Sequence, residues 1–180
     1  MDGQLVEEEV ASLAHELVVS WLIRILGAWI VPRGGFVLGS ETKLIISPRR
    51  GRKPDVLLFF GNSPRQPSSS SSSSALDFAD IVIEVITATP RDQRRDRVEK
   101  KADYAALRVG QYWLVDPEAR TLEVLALDSN GRFLEVLAAA EGIHPIPGCT
   151  DLSLDLDALW AEVDRGTAFL AAARTHETDG

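Results

Sequence analysis

With 180 residues, 45% of them hydrophobic and 26% charged, the chain suits one globular domain with a sizeable core and is too apolar for a disordered or fibrous protein. A single cysteine, Cys149, excludes a disulfide framework or a Cys-rich zinc site. The net charge of −8 argues against a polyanionic partner, but it is unevenly spread: residues 1–90 sum to −2, residues 91–108 to +3 and residues 116–180 to −9. Two basic clusters stand apart from the acidic C-terminal third, Arg49, Arg50, Arg52 and Lys53, then Arg91, Arg94, Arg95, Arg97, Lys100 and Lys101.

In chain order, Val10, Leu13, Ala14, Leu17, Trp21 and Ile25 recur every three or four residues and predict an amphipathic helix from about Leu5 to Gly27, with Gly27 as the stop. The start MDGQLVEEEV lacks the basic segment of a secretory signal. The most apolar stretch, Leu17 to Val31, is broken by Ser20 and Arg24 and is shorter than the ~20 residues that span a bilayer. The expectation is a cytoplasmic protein with no membrane span. Gly34 and Gly35 open a turn, Phe36 to Leu38 and Lys43 to Ser47 read as short strands, and Asp55 to Phe60 as a continuous apolar one. Residues 62–74, with two prolines and the run Ser68 to Ser74, read as a flexible loop within a single domain that spans residues 1–180.

The segment DIVIEVI, Asp80 to Ile86, is nearly all apolar and rich in β-branched residues, as expected of a central strand covered on both faces. A charged helix from about Asp92 to Arg108 follows, with Val98, Ala102, Ala105 and Leu107 as its inner face and Gly110 as its exit. QYWLVD, Gln111 to Asp116, reads as another buried strand and DPEAR as a turn. Thr121 to Leu127 and Arg132 to Leu137 form a hairpin around Asn130-Gly131, and Asp157 to Ala173 a closing helix. The order of elements predicts an α/β fold, a mixed sheet flanked by helices.

No repeat, GxGxxG, Walker loop, HExxH or GxSxG is present. His15, His144 and His176 lack ligand spacing, and Cys149 reads as a packing residue. Two acids stand out. Glu84 lies inside an apolar strand, where a buried carboxylate needs a cation or donors, and Asp55 opens its strand just after Lys53-Pro54. Carboxylates on neighbouring strands could share one Mg²⁺, leaving room for water and phosphate oxygens. The alternative pairs Glu84 with Lys100 or an arginine of the next helix and leaves Asp55 as a solvated strand start.

Pro54-Asp55, then the strand ending Glu84-Val85-Ile86, Asp96-x-x-x-Lys100, and Tyr112-Trp113-Leu114-Val115-Asp116-Pro117 together resemble the Uma-two family of restriction endonuclease-like proteins, within the PD-(D/E)XK nuclease superfamily. The resemblance runs from about His15 to Trp160. It implies a restriction endonuclease-like sheet and Mg²⁺- or Mn²⁺-dependent cleavage of DNA, with Asp55 and Glu84 as metal ligands. Ile86 stands where the superfamily has its lysine, and Lys100 on the next helix is the best match for that role. Lys101 is the alternative, turned about 100° around the helix. Thr87-Ala88-Thr89-Pro90 and what looks like a two-residue insertion before Asp96 also depart from the family's pattern. Asp80, Asp96 and His15 are candidates for supporting positions around the ligands, Asp80 because period two places it on the face of Glu84. For His15 a packing or capping role is the plainer expectation.

On this reading Arg50, Arg52, Lys53, Arg94, Arg95 and Lys101 line the DNA backbone. The helix pairs Asp92 with Asp96 and Arg97 with Lys101 are like-charged, which favours an external counter-ion. A non-catalytic nucleic-acid or protein binding module built on the same fold is the alternative. A homodimer is the expected assembly, since YWLVD and the hairpin after it could expose a sheet edge.

Overall fold

The computed structural model describes residues 3–39, 41–65, 75–86 and 95–178. Helix α1 spans Gly3–Ile30 and runs into a 3-10 turn, Val31–Arg33. Gly27 does not stop it. The stop is Pro32, which removes an N–H, followed by Gly34 at φ 77°, a left-handed position that costs glycine little. Gly35 is required by space: a Cβ there would meet the carbonyl oxygen of Phe59 at 2.3 Å.

Strands β1 (Phe36–Gly39), β2 (Lys43–Ser47), β3 (Arg50–Arg52), β4 (Val56–Phe59), β5 (Ala75–Leu76) and β6 (Ile81–Val85) come next. A π-helical turn, Arg95–Lys100, leads into helix α2, Lys101–Ala106. After it come β7 (Gln111–Asp116), β8 (Thr121–Leu127), β9 (Phe133–Ala139), β10 (Ile143–Pro145), β11 (Ser153–Asp155) and helix α3 (Leu156–Thr178). The main sheet has the order β1-β4-β6-β7-β8-β9, all neighbours antiparallel except the parallel pair β6 and β7. A parallel pair needs a crossover, and the helical segment 95–106 lies within it. Strand β6 is interior, as its composition predicts. The Ser68 to Ser74 run and the start of the charged helix at Asp92 lie outside the described residues.

Alternation along the strands divides the core in two. Val56, Leu58, Ile81, Ile83, Val85, Trp113 and Val115 pack with α1 and α3 through Val18, Trp21, Leu22, Leu26, Leu159 and Trp160. Leu57, Phe59, Val82, Tyr112 and Leu114 face the other way, against Leu44 of β2, Phe78 and Tyr104 of α2. By length and composition alone Leu13–Arg33 could cross a membrane. Val18, Trp21, Leu22, Leu26 and Ile30 are nevertheless buried on the sheet, so it serves as a core helix.

Two further expectations change. The inner face of the segment 95–107 is not Val98 and Ala102, which are exposed, but Lys100, Asp103 and Tyr104, which are buried. Apolarity misleads there because both charged groups have ion-pair partners, Glu84 for Lys100 and Arg50 with Arg52 for Asp103. YWLVD is also no edge, since β7 lies between β6 and β8, whereas the hairpin after it does supply one: β9 is the outer strand, with Leu134 and Val136 exposed.

Candidate functional site

Register brings the two acids together. Val56 pairs with Ile83 across β4 and β6, so one step outward the antiparallel ladder sets Asp55 against Glu84. The backbone N–H of Val85 donates to Asp55 Oδ2 at 2.7 Å, tying the start of β4 to the end of β6. From the α1 side, His15 Nε2 lies 3.2 Å from Asp55 Oδ1 and His15 Nδ1 lies 3.3 Å from Glu16 Oε1. From the opposite layer, Lys100 Nζ lies 2.8 Å from Glu84 Oε2 and the Tyr104 hydroxyl donates to Glu84 Oε1 at 2.5 Å. Lys100 and Tyr104 are four residues apart and so lie on one helix face. Tyr104 is itself fixed by edge-on packing against Tyr112 at a centroid distance of 5.0 Å.

Glu84 is 1% exposed, and burial pushes its carboxyl up to about 8; the Lys100 ammonium opposes that shift, while the charge of Asp55 adds to it. Burial also acts to raise Asp55, but His15, the Val85 N–H and Lys100 outweigh it and hold the group below its ordinary value. Burial works to lower His15, yet Asp55 and Glu16 prevail and raise it. Tyr104 is held far above an ordinary phenol, first by burial and then by Glu84, so its hydroxyl stays a donor.

These donors fit a hard divalent cation. Mg²⁺ is commonly bound through one or two carboxylates and completes its shell with water and phosphate oxygens. Asp55 and Glu84 supply oxygens only, and the strand register sets the two carboxylates against each other at one end of the sheet. No cluster of three or more His, Cys, Asp or Glu side chains suited to a metal occurs among the described residues, so the protein would contribute two carboxylates rather than a closed cage.

Of the other candidates, Asp80 does not join the site. It lies just before β6, about 13 Å from Glu84 at strand rise, and its carboxylate accepts from the Phe60 N–H and the Ser63 hydroxyl, each at 2.7 Å. Period two places residues on a face but not at the same end of a strand. Asp80→Ala should therefore lower stability by about 1–2 kcal/mol in urea unfolding, for two lost hydrogen bonds, and leave divalent-metal affinity as it was. A changed metal affinity would return Asp80 to the site.

Arg52 Nε and Arg50 Nη2 reach Asp103 Oδ2 at 2.7 and 2.8 Å, and Arg52 Nη2 lies 3.8 Å from Glu99. The β2–β3 hairpin is thus latched to α2, and Asp103 is only 6% exposed. Lys53 pairs with Glu41, and Arg97 with Glu123 on β8. Lys101 is half-buried and does not meet Glu84, which goes to Lys100 and Tyr104. The side chains of Arg95 and Asp96, and Arg94 altogether, lie outside the described residues. Tyr104 and Asp103 escaped the sequence reading, although Lys100-x-x-x-Tyr104 has the spacing of two groups sharing a helix face.

A mixed sheet covered by helices on both faces, with opposed carboxylates and a lysine at one strand end, defines an α/β protein of the restriction endonuclease-like class. Residues 1–157 match the Uma2 family, described as "Putative restriction endonuclease". The chain belongs to that family. Its fold is similar to a crystal structure described as "a putative nuclease belonging to DUF820" from Anabaena variabilis, with a TM-score of 0.64 and 17% identity over 83% of this chain and 82% of that one. No curated protein matches the chain.

Proposed function

We propose that the protein is a Mg²⁺- or Mn²⁺-dependent endonuclease hydrolysing DNA phosphodiester bonds, with Asp55 and Glu84 as metal ligands and Lys100 as the cationic group at the scissile phosphate. The observation that carries this reading is the convergence of the three side chains, from β4, β6 and the turn before α2, at one end of the sheet. When bound, the ion would polarise the phosphate and lower the pKa of an attacking water. The chain's own residues do the positioning. The Val85 N–H and His15 orient Asp55, while Tyr104 fixes the rotamer of Glu84. Lys100 would stabilise charge developing on the phosphate oxygens. It also answers for Ile86, whose side chain is buried in the apolar layer shared by Val82 and Tyr112.

Lys53 and Lys101 are the cations best placed to meet a phosphate backbone, since Arg50 and Arg52 are held by Asp103. A second reading, a non-catalytic nucleic-acid or protein binding module, is favoured by one observation: each of the four oxygens of Asp55 and Glu84 already has a donor within 3.2 Å.

The purified protein incubated with single-stranded, duplex and branched DNA should cleave at least one substrate with Mg²⁺ or Mn²⁺ and stop on addition of EDTA. Asp55→Asn should reduce the rate by about a hundredfold or more. Cleavage persisting in that variant, or in EDTA, would point to a contaminant and remove the assignment. Metal binding without cleavage of any DNA would favour the binding module.

A further inference from the structure

The closed state of the site has a direction. Lys100 delivers a single positive charge to Glu84 Oε2 at 2.8 Å, deep in the protein, with both side chains at most one-tenth exposed. His15 sits on Asp55, so Lys100 is the cation that holds Glu84, and an ion shared by the two carboxylates would have to contend with its ammonium for a Glu84 oxygen. Tyr104 holds the other oxygen, Oε1, through a neutral hydroxyl, which adds no repulsion toward an incoming cation. Lys100 is also the last residue of the π-helical turn Arg95–Lys100, directly before the regular turn that carries Tyr104. Such wide turns are less regular than α-helix and recur at functional sites.

We propose that Lys100 is a resident stand-in for the divalent cation: it occupies the Glu84 oxygen while the metal is absent, and metal entry displaces its ammonium toward the substrate side. This rests on the reading of Asp55 and Glu84 as metal ligands and adds an order of events to it. The lysine and the metal compete for one oxygen, so the cation that acts on phosphate is released only in a loaded site. A lysine serving merely as a structural partner of Glu84 would stay in place when metal binds.

Two measurements on the full-length protein decide it. Mn²⁺ affinity by titration calorimetry should become about tenfold or more tighter in Lys100→Met, because a like charge a few ångströms from the ion is removed. Lys100→Arg, which keeps the charge, should stay near the parent, and so should Arg132→Met on the distant β8–β9 hairpin. Lys100→Met leaves Glu84 without its cation and could lose its fold without metal, so the second measurement needs no variant. Acylation of lysines followed by mass spectrometry should label Lys100 slowly in metal-free protein and several-fold faster with saturating Mn²⁺.

Unchanged or weaker Mn²⁺ affinity in folded Lys100→Met overturns the proposal, as does a labelling rate indifferent to metal. If the parent protein takes up no Mn²⁺ at all, the metal-centre reading falls and the stand-in role falls with it. That outcome is distinct from a parent that binds metal while Lys100 stays unmoved.

Discussion

Glu84→Gln should lower metal-dependent DNA cleavage by about a thousandfold or more while shifting the thermal midpoint of the metal-free protein by less than about 5 °C. The amide has nearly the volume of the carboxyl and still offers a carbonyl oxygen to the Tyr104 hydroxyl, so the packing around a residue 1% exposed is kept. Where Glu84 is ionised, above about pH 8 in the metal-free fold, the substitution removes the attraction to Lys100, but it also removes a charge from the interior. For buried pairs these opposing contributions commonly come close to cancelling. Single-turnover cleavage and thermal unfolding measured on one preparation separate the two effects. Activity within tenfold of the parent would mean that the Glu84 carboxylate is not at the reaction centre.

Without metal, the protein should become less stable as pH rises from about 5 to about 8, and the slope should flatten above that. Burial lifts the Glu84 carboxyl from 4.5 to about 8. Between those values the folded chain therefore holds a proton that the unfolded chain has released, and raising the pH favours unfolding. His15 acts in the same sense. Its pKa is raised in the fold, so its contribution is complete below its ordinary 6.5 and is lost as pH climbs through the folded value. Asp55, held low, contributes above the ordinary carboxylate range and matters only in acid. Urea unfolding at intervals from pH 5 to 9 checks this, with one proton limited to about 1.4 kcal/mol per pH unit. Mn²⁺ affinity should rise over the same interval, because the ion and the proton compete for Glu84. A flat profile from pH 5 to 8 in the parent, or an equal slope in Glu84→Gln, would rule out the Glu84 proton as the source of the pH dependence.

Much of the sheet is legible in the sequence because its interior strands are continuous apolar runs. IVIEV and QYWLVD are adjacent parallel strands in the structure, and the Asn130-Gly131 turn joins β8 to β9 as expected. The register that faces Asp55 with Glu84 is not legible, since it depends on how two strands align across the intervening chain. Glu84 is visible because a charge is rare in an apolar run, and Lys100 because a buried acid needs a cation. Tyr104 is hidden for the opposite reason: an aromatic on a helix reads as core, and only its hydroxyl contact with Glu84 reveals more. Arg50 and Arg52 read as cations for a DNA backbone because their partner, Asp103, is some fifty residues away in sequence. His15 looks like a packing residue until the middle of α1 is placed beside the start of β4.

The hold of Asp103 on two arginines also sets how the protein would respond to ionic strength. Each phosphate neutralised by a free cation steepens the dependence of log affinity on log salt concentration by about 0.9. With Arg50 and Arg52 committed to a buried aspartate, that dependence should be flatter, by about 2, than a tally of the cluster from Arg49 to Lys53 suggests. A chain with a net charge of −8 would then have few condensed counter-ions to release from a duplex. Recognition would depend less on long-range attraction than on what the strand ends carrying Asp55 and Glu84 can grip at contact.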